Sequence, residues 1–182
     1  MGRFEITHTH LRTATVPFSY MPRDTSLFLT PAQPKASAAV WVASNCALAD
    51  TDAAGRQTRV QTLMAAWPGA VDSYGQCLRN KEWPRGLEPL AGSAKMRLLS
   101  RYKFTIAFES TVAEGYVTEK FYQPLIAGSV PVYWGAPDIA SFAPGPRSYV
   151  DASAFESMDA LAKHLRYLDG NEEAYAEYLG EP

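Results

Sequence analysis

From residue 38 onward the chain alternates between short, mostly apolar runs and longer stretches in which apolar residues recur every three or four positions. Ala39-Val40-Trp41-Val42-Ala43 has the length and texture of a buried strand. Val60, Leu63, Met64 and Trp67 then fall at helical spacing and predict a helix over 59–67. A second strand is expected over 70–75, ending in Gly75, and a second helix over 91–100 through Met96, Leu98 and Leu99. Phe104-Thr105-Ile106-Ala107-Phe108 reads as a third strand, and 117–127 as a helix closed by Gly128, a residue suited to the turn after a helix. Residues 129–134 give a fourth strand that Gly135-Ala136-Pro137 stops, and 147–150 a fifth. The last helix, 157–168, is plainly amphipathic, with Met158, Leu161, Leu165 and Leu168 on one face.

Strands alternating with helices in this way predict βαβ units and a parallel sheet, an α/β fold of Rossmann-like type. In an open parallel sheet the ligand sits beyond the carboxyl ends of the strands. The polar residues that follow each strand are therefore the ones to question: Ser44 and Asn45, Tyr74 and Gly75, Glu109 and Ser110, and the turn after Trp134. Residues 1–36 have a different texture. Phe4 to Thr9 alternates as a strand would, but Pro17, Pro22, Pro31 and Pro34 interrupt regular structure. The expected division is 1–36, a segment without a core of its own, and 37–182, one compact domain.

Composition narrows the function classes. A chain of 182 residues is about one domain at ~150 residues each. With 47% hydrophobic and 20% charged residues it is not a disordered chain. The formal net charge is −2, which provides no bulk attraction to nucleic acid, so any phosphate must be met by a few placed cations. No apolar run reaches the ~20 residues of a membrane-spanning helix. Two cysteines, Cys46 and Cys77, are too few for a disulfide scaffold. Each follows a predicted strand end, so a bond between them and two free thiols are both open.

The densest polar cluster is Phe108-Glu109-Ser110-Thr111 with Tyr116-Val117-Thr118-Glu119-Lys120, between a strand end and a helix start. Unpaired backbone N–H groups and the positive dipole end make such a start a phosphate site. Thr118 is the expected cap. Lys120 adds a cation where acids are preferred, which points to an anion. Glu119 can accept from sugar hydroxyls, and Tyr116 can stack on a base or ribose. The rival reading is a capped surface helix with a solvated Glu–Lys pair. Arg59, at the opening of the first helix, is a second phosphate candidate, and Arg56 competes with it. Asp50-Thr51-Asp52 has the form of a metal–diphosphate motif but reads more simply as a loop that caps the next helix. His8 and His10 share a strand face without a third ligand, and His164 reads as structural or exposed. No metal site is assigned. The chain contains no GxSxG, GxGxxG or Walker-type loop, which argues against a serine hydrolase, a standard dinucleotide fold and a P-loop enzyme.

Tyr102 to Thr111 together with Tyr116-Val117-Thr118-Glu119-Lys120-Phe121 strongly resembles the signature of the α-1,3/4-fucosyltransferases, glycosyltransferase family 10. Leu125 to Val132, Gly135-Ala136-Pro137, Phe142-Ala143-Pro144, Leu161 to Leu168 and Tyr175 continue the resemblance. Ser44-Asn45-Cys46 and Asp72 to Cys77 are most similar to the plant-type core α-1,3 branch, and Phe4, Thr7, Thr9 and Arg12 fit the pattern that precedes its donor domain.

The resemblance implies the C-terminal, donor-binding half of a GT-B enzyme. On it, 37–182 is the GDP-fucose-binding domain and 1–36 an interdomain segment, a remnant of the acceptor domain. It implies inverting transfer of L-fucose from GDP-β-L-fucose to a GlcNAc, of an N-glycan core or an N-acetyllactosamine chain, in α-1,3 linkage. Arg59 and Lys120 match the family's diphosphate ligands. Tyr116 and Glu119 match residues at the nucleotide and its ribose, and Ser44 and Asn45 match a loop lining the donor pocket. Ser110 stands where the family has Asn, and Gly115 where it has Asp. The base that deprotonates the acceptor belongs to the family's N-terminal domain, so this chain is expected to bind donor and transfer little alone. No cofactor is required on this reading: with two cations at the diphosphate a divalent metal is dispensable in principle, and its use is left open. The family's full-length form implies a type II membrane protein of the Golgi lumen, anchored by a segment that this sequence lacks. The alternatives are a non-catalytic GDP-sugar-binding or interaction module, and a transferase of another GDP-sugar.

Overall fold

A computed structural model of the chain describes residues 8–9, 16–17, 37–46, 55–86 and 92–179. Strands β1 (His8–Thr9) and β2 (Val16–Pro17) pair in parallel as a small separate sheet. The main sheet has β3 (Ser37–Ala43), β4 (Val71–Gly75), β5 (Tyr102–Phe108), β6 (Val130–Trp134) and β7 (Val150–Asp151). All its pairings are parallel, in the order β4-β3-β5-β6-β7. Helices α1 (Arg56–Ala66), α2 (Gly92–Leu99), α3 (Glu119–Ile126), α4 (Met158–Asp169) and α5 (Glu172–Ala176), with short 3-10 turns at Ile139–Ser141 and Ala152–Ala154, complete the described elements. This is the α/β architecture that the alternating runs predict.

The central strands are apolar in both phases because helices cover both faces. Trp41, Phe104, Ile106 and Val132 face α1 and α4, meeting Val60, Leu63, Leu161 and Leu165 in the larger core. Val40, Tyr74 and Tyr102 meet Leu98 and Leu99 of α2, while Ala107 and Tyr133 meet Phe121 and Tyr122 of α3. From Ile106 to Phe108 each one-residue step along β5 changes layer, which fixes the register of the sheet.

Several boundaries differ from those read in the sequence. Helix α1 begins at Arg56, three residues before the predicted start, with Gly55 as its left-handed N-cap at φ 60°. Apolar periodicity begins only at Val60, so the first turn leaves no trace in it. Helix α3 begins at Glu119, because Thr118 is extended (φ −106°, ψ −175°) and acts as its cap. The fifth strand lies at Val150–Asp151, later than predicted. Helix α5 escaped the sequence reading because five residues are too few to show a period. The remainder of the predicted 4–9 strand beyond β1 lies outside the described residues.

The turn after β4 wraps the end of β3. The N–H groups of Gln76 and Cys77 both donate to the carbonyl of Ala43, at 2.9 and 3.1 Å. Gly75 permits this approach: its φ is 93°, and a Cβ there would lie 2.3 Å from the Ala43 oxygen. The wrap brings Cys77 beside Cys46, and the two are joined as a disulfide with Cα atoms 5.3 Å apart. The alternative that the sequence left open is thereby resolved.

Candidate functional site

The chain lays down β3 first, β4 on one side of it and β5 on the other. The connections after β3 and β5 thus depart in opposite directions, and a crevice opens between them at the carboxyl ends. A cleft occupies that switch point. Trp41, Val42 and Ala43 of β3 and Thr105, Ile106 and Phe108 of β5 form its floor. Arg56 of α1, Lys95 of α2, and Lys120 and Gln123 of α3 stand around it.

The start of α3 is assembled around Glu109, the residue after β5. Glu109 is fully buried. Its carboxylate accepts from the Thr118 N–H at 2.8 Å and from the Thr118 hydroxyl at 2.8 and 2.9 Å. Lys120 Nζ lies 3.1 Å from Glu109 Oε2 and donates to Thr118 Oγ1 at 2.9 Å. A buried carboxylate is tolerable here because a helix N-terminus, three hydrogen bonds and an ammonium compensate it. Gly135 gives it room, since a Cβ at that position would sit 2.7 Å from Glu109 Cγ and 2.5 Å from the Tyr133 hydroxyl.

The loop between β5 and α3 is held at further points. Asp138 accepts from the Gly115 N–H at 2.9 and 3.2 Å. The Tyr133 hydroxyl accepts from the Ala136 N–H at 3.0 Å and donates to the Tyr116 carbonyl at 3.4 Å. Burial pushes the Tyr133 phenol well above its ordinary pKa, so it stays a neutral donor.

Among the described residues the start of α1 shows no such closure. Gly55 offers no side-chain cap, and no acid lies in the first turn. Arg56 is 7% exposed. Its Nη2 donates to the Asn45 carbonyl at 2.7 Å, while its Nε is buried without a partner. Opposite, the Gln123 side-chain oxygen is also buried and unpartnered. Lys95 makes no hydrogen bond or ion pair among the described residues. Burial pushes its ammonium below the ordinary lysine pKa, with Glu119 acting to raise it and Lys120 to lower it further.

The sequence-predicted residues divide accordingly. Lys120 lines the cleft, with Glu119 at its rim, Oε1 3.6 Å from Lys120 Nζ. Tyr116 is half-buried, its hydroxyl 3.5 Å from the hydroxyl of exposed Ser110. Ser44 and Asn45 are exposed just beyond β3. Arg59 is not among the residues lining the cleft: its guanidinium carbon lies 3.9 Å from the centre of the Trp134 ring, a cation–π arrangement. The earlier helix start explains this, since it is Arg56 of the first turn that enters the cleft. Sequence reasoning named Glu109 without its bracing role and missed Asp138 and Lys95. Lys95 leaves no local signal, since a lysine on an amphipathic helix reads as solvent-facing. Asp50, Asp52 and His10 lie outside the described residues. Among the described residues no three His, Cys, Asp or Glu side chains converge as a metal site, and no helix is long and apolar enough to cross a membrane.

The model of a known family, glycosyltransferase family 10 (fucosyltransferase) C-term, matches residues 32–180. A putative fucosyltransferase-like protein of Arabidopsis thaliana is 37% identical over 97% of this chain and 32% of its own length. GDP-fucose protein O-fucosyltransferase 3 of Canis lupus familiaris is 45% identical over 60% of this chain and 23% of its own. The crystal structure of an α1,3-fucosyltransferase with GDP-fucose superposes with a TM-score of 0.64 at 30% identity, covering 80% of this chain and 38% of that one. The chain thus spans about a third of the first of these relatives, and less of the second.

Proposed function

The chain belongs to glycosyltransferase family 10, the fucosyltransferases, and on that premise we propose that it forms the GDP-fucose site of an enzyme that transfers L-fucose, with inversion, to the GlcNAc of a glycan in α-1,3 linkage. The observation that carries this reading is the pair Arg56 and Lys120, which meet at the switch point of the sheet with Lys120 fixed by buried Glu109. Residues 37–182 are the donor domain in this reading and 1–36 the segment that leads into it. The diphosphate lies between α1 and α3, and the role that the family pattern suggested for Arg59 passes to Arg56. Tyr116 and Glu119 meet the nucleoside, and Ser110, Ser44 and Asn45 line the rest of the donor pocket.

In the reaction the acceptor oxygen bonds to fucose C1 as its proton passes to a base of the acceptor domain. The bond from C1 to the β-phosphate oxygen breaks, and its electron pair stays on that oxygen. The leaving GDP gains negative charge, and fixed cations stabilise the gain. The Cys46–Cys77 disulfide supports an oxidising compartment such as the Golgi lumen.

Calorimetric titration of GDP tests the site. The folded chain is expected to saturate, with Arg56→Ala and Lys120→Ala each weaker by roughly tenfold or more and Arg59→Ala changed little. Unchanged affinity in both of the first two sinks the assignment. The identity to a protein O-fucosyltransferase favours a second reading, in which the acceptor is a protein hydroxyl. Assay of the full-length enzyme on a GlcNAc-terminated glycan and on a peptide decides between them.

A further inference from the structure

We infer that Lys95 binds anions and completes, with Arg56 and Lys120, a three-cation cradle for a diphosphate. The inference rests on the donor reading and deepens it by adding a residue from a third element, α2, that no sequence motif marks.

Lys95 sits on the inward side of its helix. Ala94, Leu98 and Leu99 beside it are buried, while Arg97 is exposed. A lysine in such a place ordinarily snorkels its ammonium to water. Lys95 instead lines the cleft with Arg56 and Lys120 and has neither hydrogen bond nor ion pair among the described residues.

The neighbouring groups make that arrangement costly. Arg56 is nearly buried, and its Nε lacks an acceptor. Glu109, the one buried carboxylate of the cluster, is already committed to Thr118 and Lys120. Glu119, 44% exposed, pairs with Lys120 and also acts attractively on Lys95, so one carboxylate at the rim serves two ammonium groups. Three cations around one cleft against that single rim carboxylate leave an excess of positive charge that repels itself and loses hydration. A ligand that relieves this must bring two or more negative charges and several acceptor oxygens within a short span. A diphosphate does so, offering separate oxygens to a guanidinium and to two ammonium groups. A single carboxylate does not.

Inorganic pyrophosphate is the probe, titrated calorimetrically into the full chain. The folded wild type is expected to saturate. Lys95→Gln is expected to weaken binding roughly tenfold or more, with Lys95→Arg retaining most of it. Lys95→Met repeats the loss with a side chain of similar length that suits the apolar wall, and far-UV circular dichroism checks each variant. Lys163→Gln, at an exposed position of α4, removes the same charge at a distance and is expected to change nothing. Equal affinity in wild type and Lys95→Gln overturns the inference. So does an equal loss in Lys163→Gln, or a folded wild type that binds no pyrophosphate. GDP titrated in parallel keeps the two readings apart. Pyrophosphate binding that depends on Lys95 without GDP binding leaves the cradle standing and removes the nucleotide donor. GDP binding indifferent to Lys95 does the reverse.

Discussion

The start of α3 is closed by its own chain. Thr118 caps it, Glu109 satisfies Thr118 and Lys120, and Asp138 and Tyr133 hold the approaching loop. The start of α1, across the same cleft, carries no side-chain cap, no acid in its first turn and a buried arginine with an unpaired Nε. One helix start is a finished structural element that presents a cation in a fixed place. The other has Arg56 held by the Asn45 carbonyl, next to the disulfide, with its Nε unpaired among the described residues. Substitutions on the α3 side should therefore cost stability first. Those on the α1 side should cost binding first.

The largest effect is expected from Glu109→Ala. It strips Lys120 of its buried partner and leaves the Thr118 N–H without an acceptor, as in other broken buried pairs, which lose about 3–5 kcal/mol. Urea titration should show a lower midpoint with an unchanged slope. A loss under 1 kcal/mol would mean that Glu109 is not the keystone of α3. Next comes the disulfide. Cys46→Ser with Cys77→Ser frees a loop spanning 31 positions, worth roughly 3–4 kcal/mol in the chain-entropy account. The same change should also release Asn45 from its place and weaken GDP binding through Arg56, whereas Glu109→Ala reaches the ligand through Lys120. Thr118→Val keeps the side-chain shape but removes the cap, at about 1–2 kcal/mol. Arg56→Met is the counterpart on α1. It removes a nearly buried cation with one unpaired nitrogen, and stability should move by less than about 1 kcal/mol while GDP affinity falls roughly tenfold. A Thr118 variant that loses binding but not stability would reverse the contrast.

The difference between the two starts also explains what the sequence disclosed. The strands β3, β5 and β6 were legible because burial on both faces makes them continuous apolar runs. Thr118 and Lys120 were legible because a cap and a cation at a helix start leave residue types at fixed offsets. The first turn of α1 that carries Arg56 was not legible, because it has a glycine cap and no apolar position before Val60. Lys95 was illegible for another reason. On an amphipathic helix a lysine reads as solvent-facing, and only the packing of α2 against α3 at a sheet crossover places it in the cleft. The roles of Glu109 and Asp138 depend on contacts nine and twenty-three positions apart in sequence, which no local pattern encodes.

Lys95 stands between the two starts, and its titration sharpens the comparison with the smallest of the expected effects. Burial holds its folded-state pKa below the value of 10.5 that it takes in the unfolded chain, with Glu119 opposing that shift and Lys120 adding to it. Arg56 is the third cation at the cleft. Below the folded pKa both states carry the proton, and the full penalty of the buried charge is present. As pH rises between the folded pKa and 10.5, the unfolded chain holds more protons than the folded one, so stability rises. Wild type should therefore be less stable than Lys95→Met near neutrality, and the gap should narrow toward pH 10. Taking the difference between the two melting curves cancels the other lysines and tyrosines common to both chains. Saturating pyrophosphate supplies the missing anion, and in its presence the gap should close at neutral pH and lose its pH dependence. A gap that is flat with pH in the free chain would mean that Lys95 keeps its ammonium in water, and the open character of the site would then rest on Arg56 alone.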